Sequence, residues 1–156
     1  MTDDPTPSFD RERLLALSGL DYLQEMLAGR VPAAPIAATM NFRLQAVSPG
    51  SARFRGAPLA QHCNPFGVPH GGWYGTILDS ALGCAVMTGL AAGTSYTTLE
   101  YKVNILRPLA LGAEAEAIAT LSHAGRRTAV ASAELRGLAD GKLYATGSTT
   151  CIVLPS

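Results

Sequence analysis

Residues 64–90, NPFGVPHGGWYGTILDSALGCAVMTGL, pass abruptly from a polar, Gly/Pro-rich loop to an apolar helical run. No other stretch constrains the chain as strongly. In the loop, Gly71 and Gly72 lack the Cβ that would keep a ligand away from the backbone, and Asn64 and His70 supply polar side chains beside them. Along residues 73–90 the one ionisable carboxylate is Asp79, set among Ile77, Leu78, Ala81 and Leu82, which are the residues of a buried helix. Asp79 lies about two turns past the glycine pair, too deep for N-capping, which acts at the helix boundary and first turn. Two readings stay open here. One is a functional carboxylate in an apolar setting; the other is a structural one, satisfied by a backbone amide or a hydroxyl.

On the N-terminal side, residues 1–8 are polar with two prolines and read as a loosely docked tail. Leu14, Leu17, Leu20, Leu23 and Leu27 recur at three- and four-residue spacing and predict one amphipathic helix within residues 9–30, ended by Gly29 and Pro32. Residues 31–38, with Pro32 and Pro35, read as an extended connector. Residues 41–47 and 51–58 read as a hairpin turning at Pro49-Gly50. Beyond the central helix, residues 97–107, 113–121, 127–136 and 143–154 read as four strands, with turns at Gly125 and Asp140-Gly141. The expected order is helix, two strands, long helix, then four strands in a meander.

One apolar helix with an antiparallel sheet is an α+β arrangement in which the sheet curls and lays its apolar face over the helix. Small residues allow a close wrap: Gly75, Ala81, Gly83 and Ala85 on the helix, and alternating alanines such as Ala115, Ala117 and Ala119 on the strands.

The length, 156 residues, suits one domain. Charged residues make up 15% and the formal net charge is zero, which excludes a nucleic-acid footprint and a disordered composition. Three widely spaced cysteines without a preceding signal peptide point to a reduced, cytoplasmic protein, and no apolar run is long enough to cross a bilayer. His62, Cys63 and His70 lack a suitably spaced fourth ligand, so no metal is expected. Cys84, in the apolar run with no neighbouring histidine, reads as core.

If the helix begins near Gly71, its first free amides and positive end are placed to polarise a carbonyl oxygen. Asp79 is eight positions on, roughly 12 Å along the same helix. The two groups cannot meet within one chain. Two such helices packed antiparallel about a two-fold axis bring Asp79 of one subunit to the Gly71 end of the other, so the geometry calls for a homodimer.

These residues resemble the hotdog-fold acyl-CoA thioesterases, in particular the phenylacetic-acid-degradation (PaaI-like) branch. That family shows an Asn, a Gly three residues on, then His-Gly-Gly and an acid nine residues after the His; here they are Asn64, Gly67, His70, Gly71, Gly72 and Asp79. Further matches are the run from Val103 through Arg107 to Pro108, and Gly125-Arg126-Arg127. The resemblance spans residues 39–154. It implies a hotdog domain over residues 39–156, its long central helix wrapped by a curved antiparallel sheet, with residues 1–38 as a tail and helical extension.

The resemblance also implies hydrolysis of an acyl-CoA thioester, with Asp79 as general base or nucleophile and the Gly71 amide polarising the carbonyl. His70 would orient the loop or the leaving thiolate, Asn64 would hold the water or the carboxylate, and Thr98, or its neighbour Thr97, would position the water. Coenzyme A carries phosphates, so a neutral protein needs a local basic cluster; Arg126 and Arg127 are the candidates, and Arg107 and Lys102 are further possible contributors. No cofactor is implied, and the family forms dimers or dimers of dimers. Trp73 and Tyr74 at the start of the helix either shape an aromatic acyl pocket or pack against the N-terminal extension, and the expected acyl group is aromatic or medium-chain. A non-catalytic acyl-CoA binder and an enoyl-thioester hydratase on the same scaffold are the alternatives.

Overall fold

The structure, a computed structural model, describes residues 10–155; the tail expected over residues 1–8 lies outside them. The elements follow the order α1 (Arg11–Ala16), α2 (Gly19–Leu27), α3 (Pro35–Thr39), β1 (Phe42–Ser48), β2 (Ser51–Gly56), a 3-10 turn (Ala60–His62), α4 (Gly71–Met87), β3 (Thr94–Ile105), β4 (Ala115–Ala124), β5 (Thr128–Gly137) and β6 (Leu143–Pro155).

α4 is apolar around most of its circumference: Trp73, Ile77, Leu78, Ala81, Leu82 and Ala85 are all fully buried. A helix of that kind needs cover on more than one side, and the six-stranded antiparallel sheet supplies it. Close approach depends on the alanines. On β4 and β5, Ala115, Ala117, Ala119, Ala129 and Ala131 are fully buried at alternate positions, so methyl groups alone separate the sheet from the helix. This is the hotdog fold.

The strand order, β1-β2-β4-β5-β6-β3, departs from the expected meander. β4, β5 and β6 are consecutive neighbours, but β3 pairs with β6 and β2 pairs with β4. The cause lies in α4, whose 17 residues span roughly 25 Å and carry the chain from β2 to the far edge of the sheet before β3 begins. β3 is therefore an edge strand of 12 residues. Alternation of residue types reports which face a strand buries and is silent about its neighbours.

The single N-terminal helix is two helices. Ser18 interrupts it, accepting from the Asp21 amide as N-cap of α2 and donating its hydroxyl proton to the Asp21 carboxylate at 2.6 Å. Gly19 then packs directly on the backbone carbonyl of Met87, where no side chain fits, and its amide donates to Leu90 O at 3.0 Å. The connector expected over residues 31–38 holds the short α3, begun by Pro35 at its first position. No helix of the described residues is long and apolar enough to cross a membrane.

Candidate active site

The loop before α4 is shaped by its own polar side chains. Asn64 Oδ1 accepts from the amides of Phe66, at 2.9 Å, and Val68, at 3.4 Å, and Gly67 at φ +75° completes the turn. The amide of His70 donates to His62 O at 2.8 Å, which fixes the loop's exit. His62 itself is committed to backbone through both ring nitrogens, on Leu59 N and Thr39 O. That leaves no lone pair for the metal arrangement weighed with Cys63 and His70.

His70 is the N-cap of α4, and its Nδ1 accepts from the Gly72 amide at 2.9 Å. In the neutral ring the proton then sits on Nε2. The Trp73 amide donates to His70 O. Between these two satisfied groups, the exposed Gly71 amide has no acceptor among the described residues. A free, outward-facing N–H at the positive end of a long helix is a ready partner for a developing negative charge.

Asp79, half-buried in the middle of α4, faces β3, where Thr98 Oγ1 donates to its Oδ1 at 3.2 Å. Of the two adjacent threonines Thr98 is the one that makes this bond; Thr97 is exposed. β3 carries a bulge between Thr98 and Glu100, an irregularity that re-aims side chains beside a site. Burial raises the Asp79 pKa and the Thr98 hydroxyl opposes the rise. No Lys, Arg or His among the described residues pairs with the carboxylate. Cys84, one turn on, has its thiol pushed up to about 12 by burial and by Asp79, so it is no thiolate nucleophile at neutral pH.

The carboxylate opens onto a cavity of about 220 Å³. Phe42 and Phe54, Tyr96 and Thr98, and Met26 and Ile36 from the N-terminal helices line it. The sequence reading did not reach this last contribution. Of the two readings of Trp73 and Tyr74, packing is the one seen: neither lines this cavity, and both are buried in the core, with Trp73 Nε1 donating to Met40 O and Tyr74 Oη accepting from Leu109 N, each at 2.8 Å.

The arginines divide into two groups. β-ladder register places Thr98, Cys151 and Ala129 in one row across β3, β6 and β5, and the exposed Arg126 and Arg127 sit just before β5, two strands from Thr98. Arg107 lies at the opposite end of β3, its Nε donating to Leu143 O at 3.0 Å. That is the Gly71 end, since Ile105 Cδ1 is 3.4 Å from where a Gly71 Cβ would be. One chain thus brings together Asp79 with Thr98, and separately Asn64, His70 and Gly71, without joining the two sets.

A buried helix in the grip of an antiparallel sheet defines a hotdog domain, and this one carries an acid at mid-helix and a free amide at its start. Residues 66–144 match the family model described as the thioesterase superfamily, and the chain belongs to that family. Acyl-coenzyme A thioesterase 13 of Mus musculus is 31% identical over 90 residues, 58% of this chain and 64% of that protein. The chain therefore spans less than two thirds of that curated relative's length. Among solved structures, a phenylacetic acid degradation-related protein from Ralstonia eutropha superposes with TM-score 0.76 at 32% identity, over 84% of this chain and 98% of its own. A mutant of the phenylacetic acid degradation protein PaaI from Thermus thermophilus gives TM-score 0.69 at 30% identity, over 76% of this chain and 98% of its own.

Proposed function

We propose that this protein is an acyl-CoA thioesterase that works as a homodimer. The observation that carries the reading is Asp79, a carboxylate without a cationic partner among the described residues, held by Thr98 at the mouth of an apolar cavity. In the reaction Asp79 takes a proton from water as the water oxygen adds to the thioester carbonyl carbon. The resulting oxyanion accepts a hydrogen bond from the Gly71 amide. Collapse breaks the C–S bond, and the CoA thiolate leaves and takes up a proton. If Asp79 adds directly instead, the product is a mixed anhydride that water then opens. Single turnover in ¹⁸O-water tests for the anhydride: label enters the Asp79 side chain only when direct attack is followed by water opening the anhydride at the Asp79 carbon, whereas general-base catalysis, like opening at the acyl carbon, puts the label in the product acid alone.

The dimer follows from the distance between Asp79 and Gly71 along α4. Its support on the surface is the free edge of β3, where Leu99, Tyr101 and Ile105 stand exposed, because a long unpaired apolar edge invites pairing with a second copy. An antiparallel pairing sets Gly71 and Arg107 of the partner subunit beside Asp79 and the Arg126–Arg127 turn, which gathers the basic residues around one CoA. Assay of thiol release from a panel of acyl-CoAs tests the function. Absence of turnover on every thioester by a well-folded dimer overturns it and leaves a binding protein.

A further inference from the structure

The cavity at Asp79 does not end under the N-terminal helices. A second cavity, of about 370 Å³, adjoins it, and the two share Met26, Ala34, Tyr96 and Thr98 in their walls. From this join the second space runs along β3 from Thr98 back to Thr94, past Leu17 to Leu90 at the end of α4. That is a reach of roughly 13 Å at about 3.3 Å per strand residue. Among the described residues lining both spaces Asp79 is the one carboxylate, and no Lys, Arg or His is present.

The geometry points to a linear, uncharged aliphatic acyl chain as the substrate's variable part, threaded from Asp79 past Met26 into the space beneath α1 and α2, whose side chains set the accepted length. This rests on the thioesterase reading, which fixes the thioester at Asp79, and it adds the class of acyl group. Three observations support it. A cavity that continues for several residues along a strand suits a narrow extended chain better than a compact ring. The aromatic residues of the helix start, Trp73 and Tyr74, are sealed in the core and form no part of either wall. At the join stands Met26, half-buried and on a surface helix, with the unbranched, adaptable side chain that lets a chain pass. The N-terminal helices are thereby a specificity element. They hold their position through the Gly19–Met87 packing and through the Gly93 amide, which donates to Leu15 O at 2.7 Å.

The test uses non-hydrolysable S-alkyl-CoA thioethers, from butyl to tetradecyl, with a phenethyl analogue alongside. Binding to the full-length protein is measured by calorimetry, and the readout is the affinity ratio between lengths within each protein. Wild type is expected to gain about fourfold per methylene over the series. Met26→Trp, which fills the join, should end the gain after the shortest members and cut the dodecyl-to-butyl ratio at least tenfold. Leu17→Trp, in the second cavity alone, should leave the early slope and remove only the late gain. Equal slopes in all three proteins, a wild-type plateau at short chains, or tighter binding of the phenethyl analogue than of every linear one overturns the inference. Length-dependent binding without hydrolysis of any acyl-CoA sinks the thioesterase reading while the threaded chain stands.

Discussion

Thr98 Oγ1 donates to Asp79 Oδ1 across the seam between α4 and β3 at 3.2 Å, and this one bond joins the two elements that carry the carboxylate and the cavity wall. It opposes the effect of burial, which raises the Asp79 pKa. Replacing Thr98 with valine keeps the shape and removes the donor. The Asp79 pKa then rises further. Because the base must be ionised, activity is lost as pH falls through that pKa, so the acid limb of kcat/KM moves to higher pH in Thr98→Val. A limb that stays in place, or moves to lower pH, argues that the bond does not hold the ionised form. The accompanying fall in kcat at neutral pH should be about tenfold, the size of one hydrogen bond to a charged group.

Asp79→Asn should reduce turnover at least a hundredfold, the low end for loss of a positioned base, while acyl-CoA still binds. It should also raise stability at neutral pH. The folded-state pKa of Asp79 lies above its unfolded value, so between the two values the folded state holds the proton and the unfolded state does not, and stability falls as pH rises through that window. At pH 7 the carboxylate is a net cost, and asparagine relieves it. At pH values below the ordinary aspartate range both states are protonated and the advantage disappears. Thermal melts of the two proteins from acidic to neutral pH give the comparison; a wild type that melts above Asp79→Asn at pH 7 contradicts the account.

Gly19→Ala places a methyl group on the Met87 carbonyl, which backbone cannot cede cheaply. The substitution should destabilise by about 1–3 kcal/mol, the usual cost of overpacking, against the smaller gain that alanine brings to a helix. Urea unfolding reads the difference. A neutral or stabilising outcome means that α1 and α2 are not seated on the end of α4 as described.

Arg126 and Arg127 project from a turn with no ion pair among the described residues, free for phosphates. The double change to glutamine should raise KM for an acyl-CoA about tenfold with little change in kcat, and should not affect the same acyl group carried on pantetheine, which lacks the nucleotide phosphates. Equal losses on both thioesters point to damage elsewhere.

How much of this was legible follows from what each residue type reports. His70-Gly71-Gly72 and a lone acid in an apolar helix mark themselves, because each is costly or conspicuous where it stands. The alanine alternation of β4 and β5 likewise gave their buried faces correctly. Strand order did not show, since β3 reaches β6 only through the length of α4 and a crossover that no local pattern encodes. Nor did the break at Ser18: the leucine spacing runs through it, and only the packing of Gly19 on Met87 decides the geometry. The cavity walls at Met26, Ala34 and Tyr96 come from three separate elements. Whether Trp73 and Tyr74 line a pocket or pack inward stayed open, because position at a helix start does not say which side of the helix is roofed by the sheet.

The Gly71 amide can be removed without disturbing the helix, and that makes the shared site testable. Gly71 is the first residue of α4, the position where proline is best tolerated because its nitrogen has no intrahelical bond to lose. The preceding His70 already has φ −63° and ψ 143°, within the region that a following proline demands, and a Cβ at Gly71 meets only Ile105 Cδ1 at 3.4 Å. Gly71→Pro should therefore fold as a dimer and lose the oxyanion donor, with a fall in kcat of roughly a hundredfold to a thousandfold. Asp79→Asn loses the base. If each site takes its acid from one subunit and its amide from the other, mixing the two inactive proteins and allowing exchange gives heterodimers with one site missing both groups and one site intact. Activity should then recover to about a quarter of wild type, since half the dimers are mixed and each holds one working site. If both groups belonged to one chain, every site in every mixture would carry one lesion, and exchange would restore nothing.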